Sequence, residues 1–580
     1  MKISVPYAII TNQGILHKNN KKQKNNNMPF CANMLKTTVS AEIINSLFEA
    51  HRVNMISTLK RGKHMLNETE KFIDIRENFS KKLEPAIIYS EETCWDFYNN
   101  STPETHHKFV EAENNMFALY QDKNTYNKLK SIDKTKLPEH ESKQLKDLLK
   151  SFDEELNAGE QKKELRKKEA DIGQKYNTYV PMIDDKEVTK VDILKIIQSE
   201  TNPVTREKAY NAVIKGGDLI AKDLIELVKM RNNYAKTQGY SNYFDYMIKE
   251  EYDVEPKFLN KLIDDVYSIA QNKINIILSK REEELKNFFG VKNLKAYHYG
   301  LLLDSNPEKK VNEILKTTKV EDISKKIYFG MGYDIDKLQK DNKLTLDLYP
   351  RKGKNTHGFS FGVKAGEDSR ILANLTNNLK SLDTLNHELG HCIYDLGLSK
   401  NLPFIDRHPA SPATTEAIAM MMGDIMKKEN VLKDIIPDEI LQNLKNSLKD
   451  DEADFVSKSL QIIEFEREIY KNPDQNPAQL WSDVKRKYKN RNEAMDNEWA
   501  TIPHYLTHPG YYQNYFRAAL MKVQIYNHLH KQLGNITENH KTAEYMNKNI
   551  FSIGASIDEY ALIKQLTGKE FSASDFIQEL

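Results

Sequence analysis

The sequence predicts a mainly α-helical protein with one small β-sheet beside its central motif. Three observations favour this fold class. From residue 36 to about 300 the chain keeps a helical pattern that few glycines or prolines interrupt. Short runs that alternate apolar and polar residues follow between 344 and 375, as strands do. After 410 the helical pattern returns and continues to the end of the chain.

The first segment, residues 1–35, is rich in lysine and asparagine, and we expect it to be a disordered lead. Its apolar stretch from Lys2 to Ile10 is short and ends without a small-residue cleavage site. A secretory signal is therefore the less favoured alternative, Met28 is an alternative start, and the expected location is the cytoplasm.

The helical stretch is assigned to one lobe at 36–300, with its charged runs on solvated helix faces. Within it, Gly239 is expected to end one helix and Ser241 to cap the next. Residues 301–580 form the predicted catalytic region, whose motif core lies at 340–520.

Three short strands are predicted at 344–349, 358–363 and 370–375, and Pro350 and Gly353 mark the turn after the first. Such a sheet offers an edge to which an extended peptide can add through main-chain hydrogen bonds. A purely structural hairpin explains the same residues equally well.

The central motif is His-Glu-Leu-Gly-His at 387–391. On a helix, His387 and His391 lie one turn apart, so both imidazoles can bind one metal ion. Glu388 between them is placed to act as general base toward a water at the metal. A third ligand is then needed, and Glu416 follows 25 residues later in a second apolar helical run. Two histidines and a glutamate are a known catalytic zinc set.

The residues around the motif strengthen this interpretation over a solvated His/Glu helix face, because apolar residues at helical spacing flank it. Gly390 is expected to leave room for the substrate to approach the metal closely. Cys392 points away from the metal side of the helix and is expected to be a small buried residue.

Composition excludes several classes. The chain has 580 residues, with 85 Lys+Arg against 84 Asp+Glu, which disfavours a general nucleic-acid binder. No stretch of 18 apolar residues occurs, so no membrane span is expected. The three cysteines, Cys31, Cys94 and Cys392, are too few for a disulfide framework and suit a reducing compartment.

Four stretches resemble the helical zinc peptidases that include angiotensin-converting enzyme, thimet oligopeptidase and oligopeptidase F. They are 347–354, 357–361, 387–391 with Glu416, and 508–516. The resemblance implies a two-lobed helical clamshell that holds one zinc ion per chain. It also implies short peptides as substrates and a monomer as the default state.

The resemblance also assigns roles to residues. It implies zinc ligands His387, His391 and Glu416, with Glu388 as the base. For the oxyanion it implies His508, for which His504 is a competitor, and Tyr515. It implies substrate contacts from His357, Gly358, Phe359, Ser360 and Tyr512.

The sequence departs from the angiotensin-converting-enzyme branch at two points. Met420 stands where that branch has an acidic residue that supports the metal histidines, so Asp383 or Asp424 is expected to take that part. No lysine occurs at 502–507, where that branch anchors the substrate's C-terminus. An endo-acting oligopeptidase is therefore favoured over an exo-acting or dipeptidyl carboxypeptidase, and over a catalytically dead helical binding protein.

Overall fold

The computed structural model describes residues 67–156, 159–351, 353–355, 358–428, 431–489, 491 and 495–580. Across these residues the chain is mainly helical, which confirms the predicted fold class. None of the helices in this part of the chain has the length and apolar character needed to cross a membrane. The predicted lead at 1–35 lies outside the described residues.

The helices before the main sheet cover most of the first half of the described chain. In chain order they are α1 Glu68–Asn99, α2 Pro103–Ala118, α3 Lys123–Lys130, α4 Glu139–Leu156, α5 Glu160–Thr178, α6 Lys190–Ser199, α7 Pro203–Thr237, α8 Tyr243–Tyr246, α9 Pro256–Phe289, α10 Pro307–Leu315, α11 Val320–Met331 and α12 Ile335–Lys340. A short hairpin of β1 (Met182–Ile183) and β2 (Lys186–Glu187) lies between α5 and α6. A turn of π-helix at Met247–Glu251 continues α8.

The predicted helix break near Gly239 is confirmed, but the predicted cap is wrong. Gly239 takes a φ of +86°, a conformation that favours glycine. The side chain of Asn242, not that of Ser241, accepts the backbone N–H of Asp245 and so caps α8. The hydroxyl of Ser241 lies against the side chain of Asp245 instead.

The predicted sheet is present, with strand ends that differ by a few residues. It contains β3 (Leu344–Asp347), β4 (Phe359–Lys364) and β5 (Asp368–Leu372). The spatial order is β3-β5-β4, with β3 parallel and β4 antiparallel to β5. β4 is therefore an edge strand of this sheet.

The two faces of β4 pack against different helices. On one face, Phe361 and Val363 join Trp95 and Tyr98 of α1 in a buried cluster, and the rings of Trp95 and Phe361 meet edge to face with centroids 5.3 Å apart. The other face lies on the helix that carries the central motif. The strand is thus fixed between α1 and that helix by alternation of its side chains.

The helices after the sheet form the second half of the fold. In chain order they are α13 Leu379–Gly397, α14 Pro412–Lys428, α15 Asp438–Lys471, α16 Pro477–Lys489, α17 His504–Thr507, α18 Tyr512–Leu533, α19 Lys541–Asn549, α20 Glu559–Thr567 and α21 Ser574–Glu579. The largest buried apolar cluster extends from Leu165 to Phe576 and crosses the predicted boundary at residue 300. The division into lobes at 36–300 and 301–580 stays a prediction.

Candidate metallopeptidase site

The central motif lies on α13, as predicted. Asn378 caps this helix by accepting the backbone N–H of Ser381. His387 and His391 lie one turn apart on the helix, and their ring centroids are 4.9 Å apart. Glu416 lies on α14, which packs directly against α13.

Gly390 has a different part from the one predicted. A Cβ at this position would lie 2.8 Å from the Cα of Ala419 and 3.2 Å from the Cβ of Met422, both on α14. Across the same contact, a Cβ at Gly423 would lie 2.6 Å from an oxygen of Asp383. The absence of a side chain at 390 therefore allows α13 and α14 to pack closely, and this packing brings Glu416 close to the two histidines. Gly390 faces α14 and not the substrate.

Replacement of Gly390 by alanine is expected to lower the free energy of unfolding by about 1–3 kcal/mol, because the added methyl group overpacks the contact between α13 and α14. Chemical denaturation measures this change. The matched control is Gly173→Ala, where the new Cβ would meet only Leu506 at 3.9 Å. Because alanine favours a helix more than glycine does, the Gly173→Ala variant should have an equal or higher free energy of unfolding. Equal loss in the two variants would contradict the packing assignment.

The three predicted ligand side chains converge. One ligand atom from each of His387, His391 and Glu416 lies within 4.8 Å of the others. Oε2 of Glu416 lies 3.7 Å from Nε2 of His387 and 3.9 Å from Nε2 of His391. Ligands at about 2.0–2.1 Å from a tetrahedral zinc ion would be separated by about 3.3 Å, close to these distances.

The Glu416 oxygen aimed at the histidines supports a metal site. It is buried and has no hydrogen-bond partner among the described residues. A buried carboxylate oxygen without a partner is costly unless a cation or a donor satisfies it. The donor set of two imidazole nitrogens and one carboxylate also suits zinc. The residues present therefore fit the metal that the motif predicts.

Burial sets the protonation of the site. It lowers the pKa of His387 to about 4, and it also lowers the pKa of His391, so both imidazoles are neutral and able to bind a metal. Burial raises the pKa of Glu416 to about 7. Burial and the neighbouring Glu416 charge raise the pKa of Glu388 to about 8.

The contact that orients His391 comes from a hydroxyl. Nδ1 of His391 lies 2.7 Å from Oγ1 of Thr415, which leaves Nε2 directed at Glu416. The two carboxylates expected here have other partners: Asp383 pairs with Lys380 at 2.6 Å and Asp424 pairs with Lys522. Among the described residues neither carboxylate hydrogen-bonds either ligand histidine, so the carboxylate expectation is not met.

Strand β4 begins beside the predicted base. A Cβ at Gly358 would lie 3.1 Å from Thr384 and 3.5 Å from an oxygen of Glu388. The backbone of Ser360 hydrogen-bonds to the Glu388 carboxylate. Gly358, Ser360 and the partly buried Phe359 all line the same cavity as the metal ligands. His357 lies outside the described residues, so its predicted substrate contact remains a prediction.

The late segment faces the metal ligands across the cavity. His504, His508 and Tyr515 line the cavity, whereas Tyr512 is not among the lining residues. Tyr512 instead packs its ring against His504 at a centroid distance of 4.8 Å. Burial lowers the pKa of His508 to about 3 and that of His504 to about 4, so each is a neutral imidazole that can donate one N–H.

Tyr511 is a site residue that the sequence prediction omitted. Its hydroxyl donates a hydrogen bond to Oε1 of Glu416 at 3.3 Å, and its side chain lines the cavity. Helical spacing could have identified it, since Tyr511 and Tyr515 are four apart and so lie on one side, whereas Tyr512 is rotated by about 100°. Gly510 precedes it with a φ of +75° and packs against Tyr252 beside the π-helix.

The cavity that contains these residues has a volume of about 1020 Å³. Its lining comes from both halves of the chain: α1, the π-helix and Tyr252 from the first half, and β4, α13, α14 and α15 from the second.

A helical fold with a His-Glu-x-x-His helix, a glutamate ligand from the next helix and a cleft above them defines a metallopeptidase of the gluzincin class. Comparison with known proteins agrees. The profile of peptidase family M3 matches residues 196–580, and that of angiotensin-converting enzyme matches residues 66–272. The chain belongs to peptidase family M3.

The relatives that match this chain share little identity with it, but each match covers more than half of its length. The chain is 24% identical to an oligoendopeptidase F homologue of Lactococcus lactis subsp. lactis over 485 residues, which cover 76% of this chain and 78% of the relative. It is 23% identical to the group B oligopeptidase PepB of Streptococcus agalactiae, over 57% of this chain and 55% of the relative. It is 22% identical to the oligopeptidase PepF of Bacillus subtilis, over 57% of this chain and 49% of the relative. The predicted family and the predicted class, a metal-dependent oligopeptidase, are confirmed.

Proposed function

We propose that this chain is a zinc endopeptidase for short peptides, with one zinc ion held by His387, His391 and Glu416. The observation that carries the proposal is the unpartnered Oε2 of Glu416, 3.7 and 3.9 Å from the two imidazole nitrogens. A bound zinc ion would polarise the scissile carbonyl and lower the pKa of the attacking water.

Glu388 is the proposed general base. Its carboxylate lies between the ligand histidines and the start of β4, where the Ser360 backbone holds it. It takes a proton from the attacking water and passes that proton to the leaving amine. A pKa raised toward neutrality by burial suits a group that both accepts and donates a proton.

The substrate backbone is proposed to add along the free edge of β4. One edge of this strand pairs with β5, and residues 358–365 line the cavity. Gly358, Phe359 and Ser360 would then hold the peptide by main-chain hydrogen bonds next to Glu388, with Ser360 contributing its carbonyl because its N–H bonds to Glu388. Since the cavity has walls on both sides, it admits an extended peptide and excludes a folded protein.

Tyr515 and His508 are proposed to stabilise the oxyanion of the tetrahedral intermediate. The hydroxyl of Tyr515 makes no hydrogen bond with another described residue, and burial together with the charges of Glu416 and Glu388 raises its pKa. It is therefore a protonated donor beside both carboxylates. Tyr511 is proposed to hold Glu416 in place through its hydrogen bond.

Two phenylalanine variants distinguish the proposed roles of Tyr515 and Tyr511, since each removes one hydroxyl from the same cluster. Tyr515→Phe should lower kcat by about a hundred- to a thousandfold with metal affinity unchanged. Tyr511→Phe should lower zinc affinity by about ten- to a hundredfold and retain more of kcat at saturating zinc. Steady-state kinetics and zinc titration measure both. Equal effects of the two variants on kcat and on zinc affinity would contradict the assignment.

The charges in the cavity favour endo-action. An exo-acting carboxypeptidase needs a cation for the substrate's C-terminal carboxylate, but each lysine or arginine that lines the cavity already pairs with an acid. The pairs are Lys364 with Glu367, Lys380 with Asp383, Arg407 with Glu84, Lys427 with Asp451 and Lys522 with Asp424. Peptides blocked at both termini test this, because an endopeptidase still cleaves them.

A further inference from the structure

Two acidic side chains that line the cavity do not belong to the ligand set, although one of them, Asp395, follows His391 by four residues on the same helix. Glu91 belongs to α1 and Asp395 to α13, and both line the cavity. Glu91 is only 6% exposed, yet its carboxylate has no hydrogen-bond or ion-pair partner among the described residues. Asp395 accepts one long hydrogen bond, from the hydroxyl of Ser369 at 3.5 Å.

The register of β4 on α13 fixes how far these acids lie from the reacting bond. Gly358 lies against Glu388, Ser360 contacts Cys392 at 3.3 Å, and Gly362 lies over Asp395, whose Oδ2 would be 2.8 Å from a Cβ at 362. Glu388 contacts Gly358 and the backbone of Ser360, so the strand rises about 6.6–13 Å from the Glu388 contacts to Gly362. A peptide that adds to β4 therefore reaches Asp395 about two to four residues from the bond beside Glu388.

The charges nearby leave the two acids without a cation. Two basic side chains that also line the cavity are already paired, Arg407 with Glu84 at 3.1 Å and Lys364 with Glu367 at 2.9 Å. Burial raises the pKa of Glu91 to about 8, with a further contribution from the Asp395 charge. Burial also raises the pKa of Asp395 to about 7. A cation placed between them would relieve the cost of this burial.

We infer that Glu91 and Asp395 form a subsite for a basic substrate side chain, lysine or arginine, two to four residues from the scissile bond. The inference rests on the proposed function, because it requires a peptide on β4. The missing side chain at Gly362 leaves Asp395 accessible beside the strand, and the long aliphatic stem of a lysine or arginine suits Ile87 and Ile88, which line the same cavity.

The test uses peptides blocked at both termini that differ at one position only, lysine against norleucine, which has a similar stem and no charge. The lysine is moved one position at a time along both sides of the cut bond, and mass spectrometry reads the cut. At one position, two to four residues from that bond, lysine should raise kcat/KM about tenfold or more. Glutamate at that position should lower it.

The variants Glu91→Gln and Asp395→Asn should each lower the ratio of lysine to norleucine kcat/KM toward one. This ratio is insensitive to partial unfolding, since both peptides meet the same enzyme sample. The matched control is Glu92→Gln, the same change one residue along α1. Glu92 is 49% exposed in its side chain and lies outside the cavity lining, so this variant should keep the ratio.

The outcomes separate the inference from the proposed function. A wild-type protein that cleaves the lysine and norleucine peptides equally at every position overturns the subsite and leaves the peptidase intact. A high ratio that persists in both acid variants also overturns it, since the lysine must then bind elsewhere. A zinc-loaded wild-type protein that cleaves no peptide overturns the proposed function, and the subsite with it.

Discussion

Replacement of Glu388 by glutamine is expected to lower kcat for peptide cleavage by about a hundred- to ten-thousandfold. The amide keeps the size and the contacts of the carboxylate against Gly358, so the cleft should keep its shape. It cannot accept the proton of the attacking water, and so the base is lost. Because Glu388 is not a ligand, the variant should still bind about one zinc ion per chain.

Zinc content by elemental analysis is the control for this variant, together with its thermal unfolding. Retained zinc with lost cleavage assigns Glu388 to the chemical step. A variant with full activity would contradict the mechanism, and one that loses zinc as well would assign Glu388 to the ligand set instead.

Replacement of His391 by alanine is expected to abolish both zinc binding and cleavage. The ligand set would keep only His387 and Glu416, and the Glu416 oxygen would face a cavity. Wild-type protein should also gain about 2.7 kcal/mol of stability when free zinc exceeds its Kd a hundredfold, and the variant should gain none. Zinc titration followed by thermal unfolding measures both effects.

The matched control is His528→Ala on α18, where the imidazole contacts Tyr545 and no ligand. It should bind zinc and gain stability as the wild type does. Zinc-dependent stabilisation of the His391→Ala protein would show that the ion binds outside the proposed ligand set.

The parts of this site that were predictable from sequence are those set by local spacing. His387 and His391 share a helix, and their four-residue spacing places both imidazoles together whatever the rest of the chain does. The strand runs near 344–375 were predictable for the same reason, since alternation is a local pattern. Glu416 could be predicted as the third ligand because it follows His391 by only 25 residues, in a second apolar helical run.

The parts that were not predictable depend on packing between distant segments. Gly390 was expected to leave room for the substrate. The structure shows instead that it leaves room for Ala419 of α14, a contact that the sequence does not reveal. In the folded chain the hydroxyl of Thr415 contacts His391, whereas Asp383 and Asp424 pair with lysines. No local pattern in the sequence reports such contacts between helices.

The two acids of the proposed subsite are the clearest example. Glu91 and Asp395 are 304 positions apart in the chain, and each alone looks like one more charge on a helix. Only the fold places both on one cavity without a cation. The hydrogen bond of Tyr511 could not be predicted for the same reason, since its partner Glu416 is 95 positions away in the chain.

The central claim is tested most directly by digestion of a library of short peptides blocked at both termini, with and without chelator, read by mass spectrometry. We predict internal cleavage of these peptides, loss of cleavage on chelation and its return when zinc is added back. Cleavage that persists after complete removal of the metal, or a zinc-loaded protein that leaves every blocked peptide intact, would contradict a zinc endopeptidase centred on His387, His391 and Glu416.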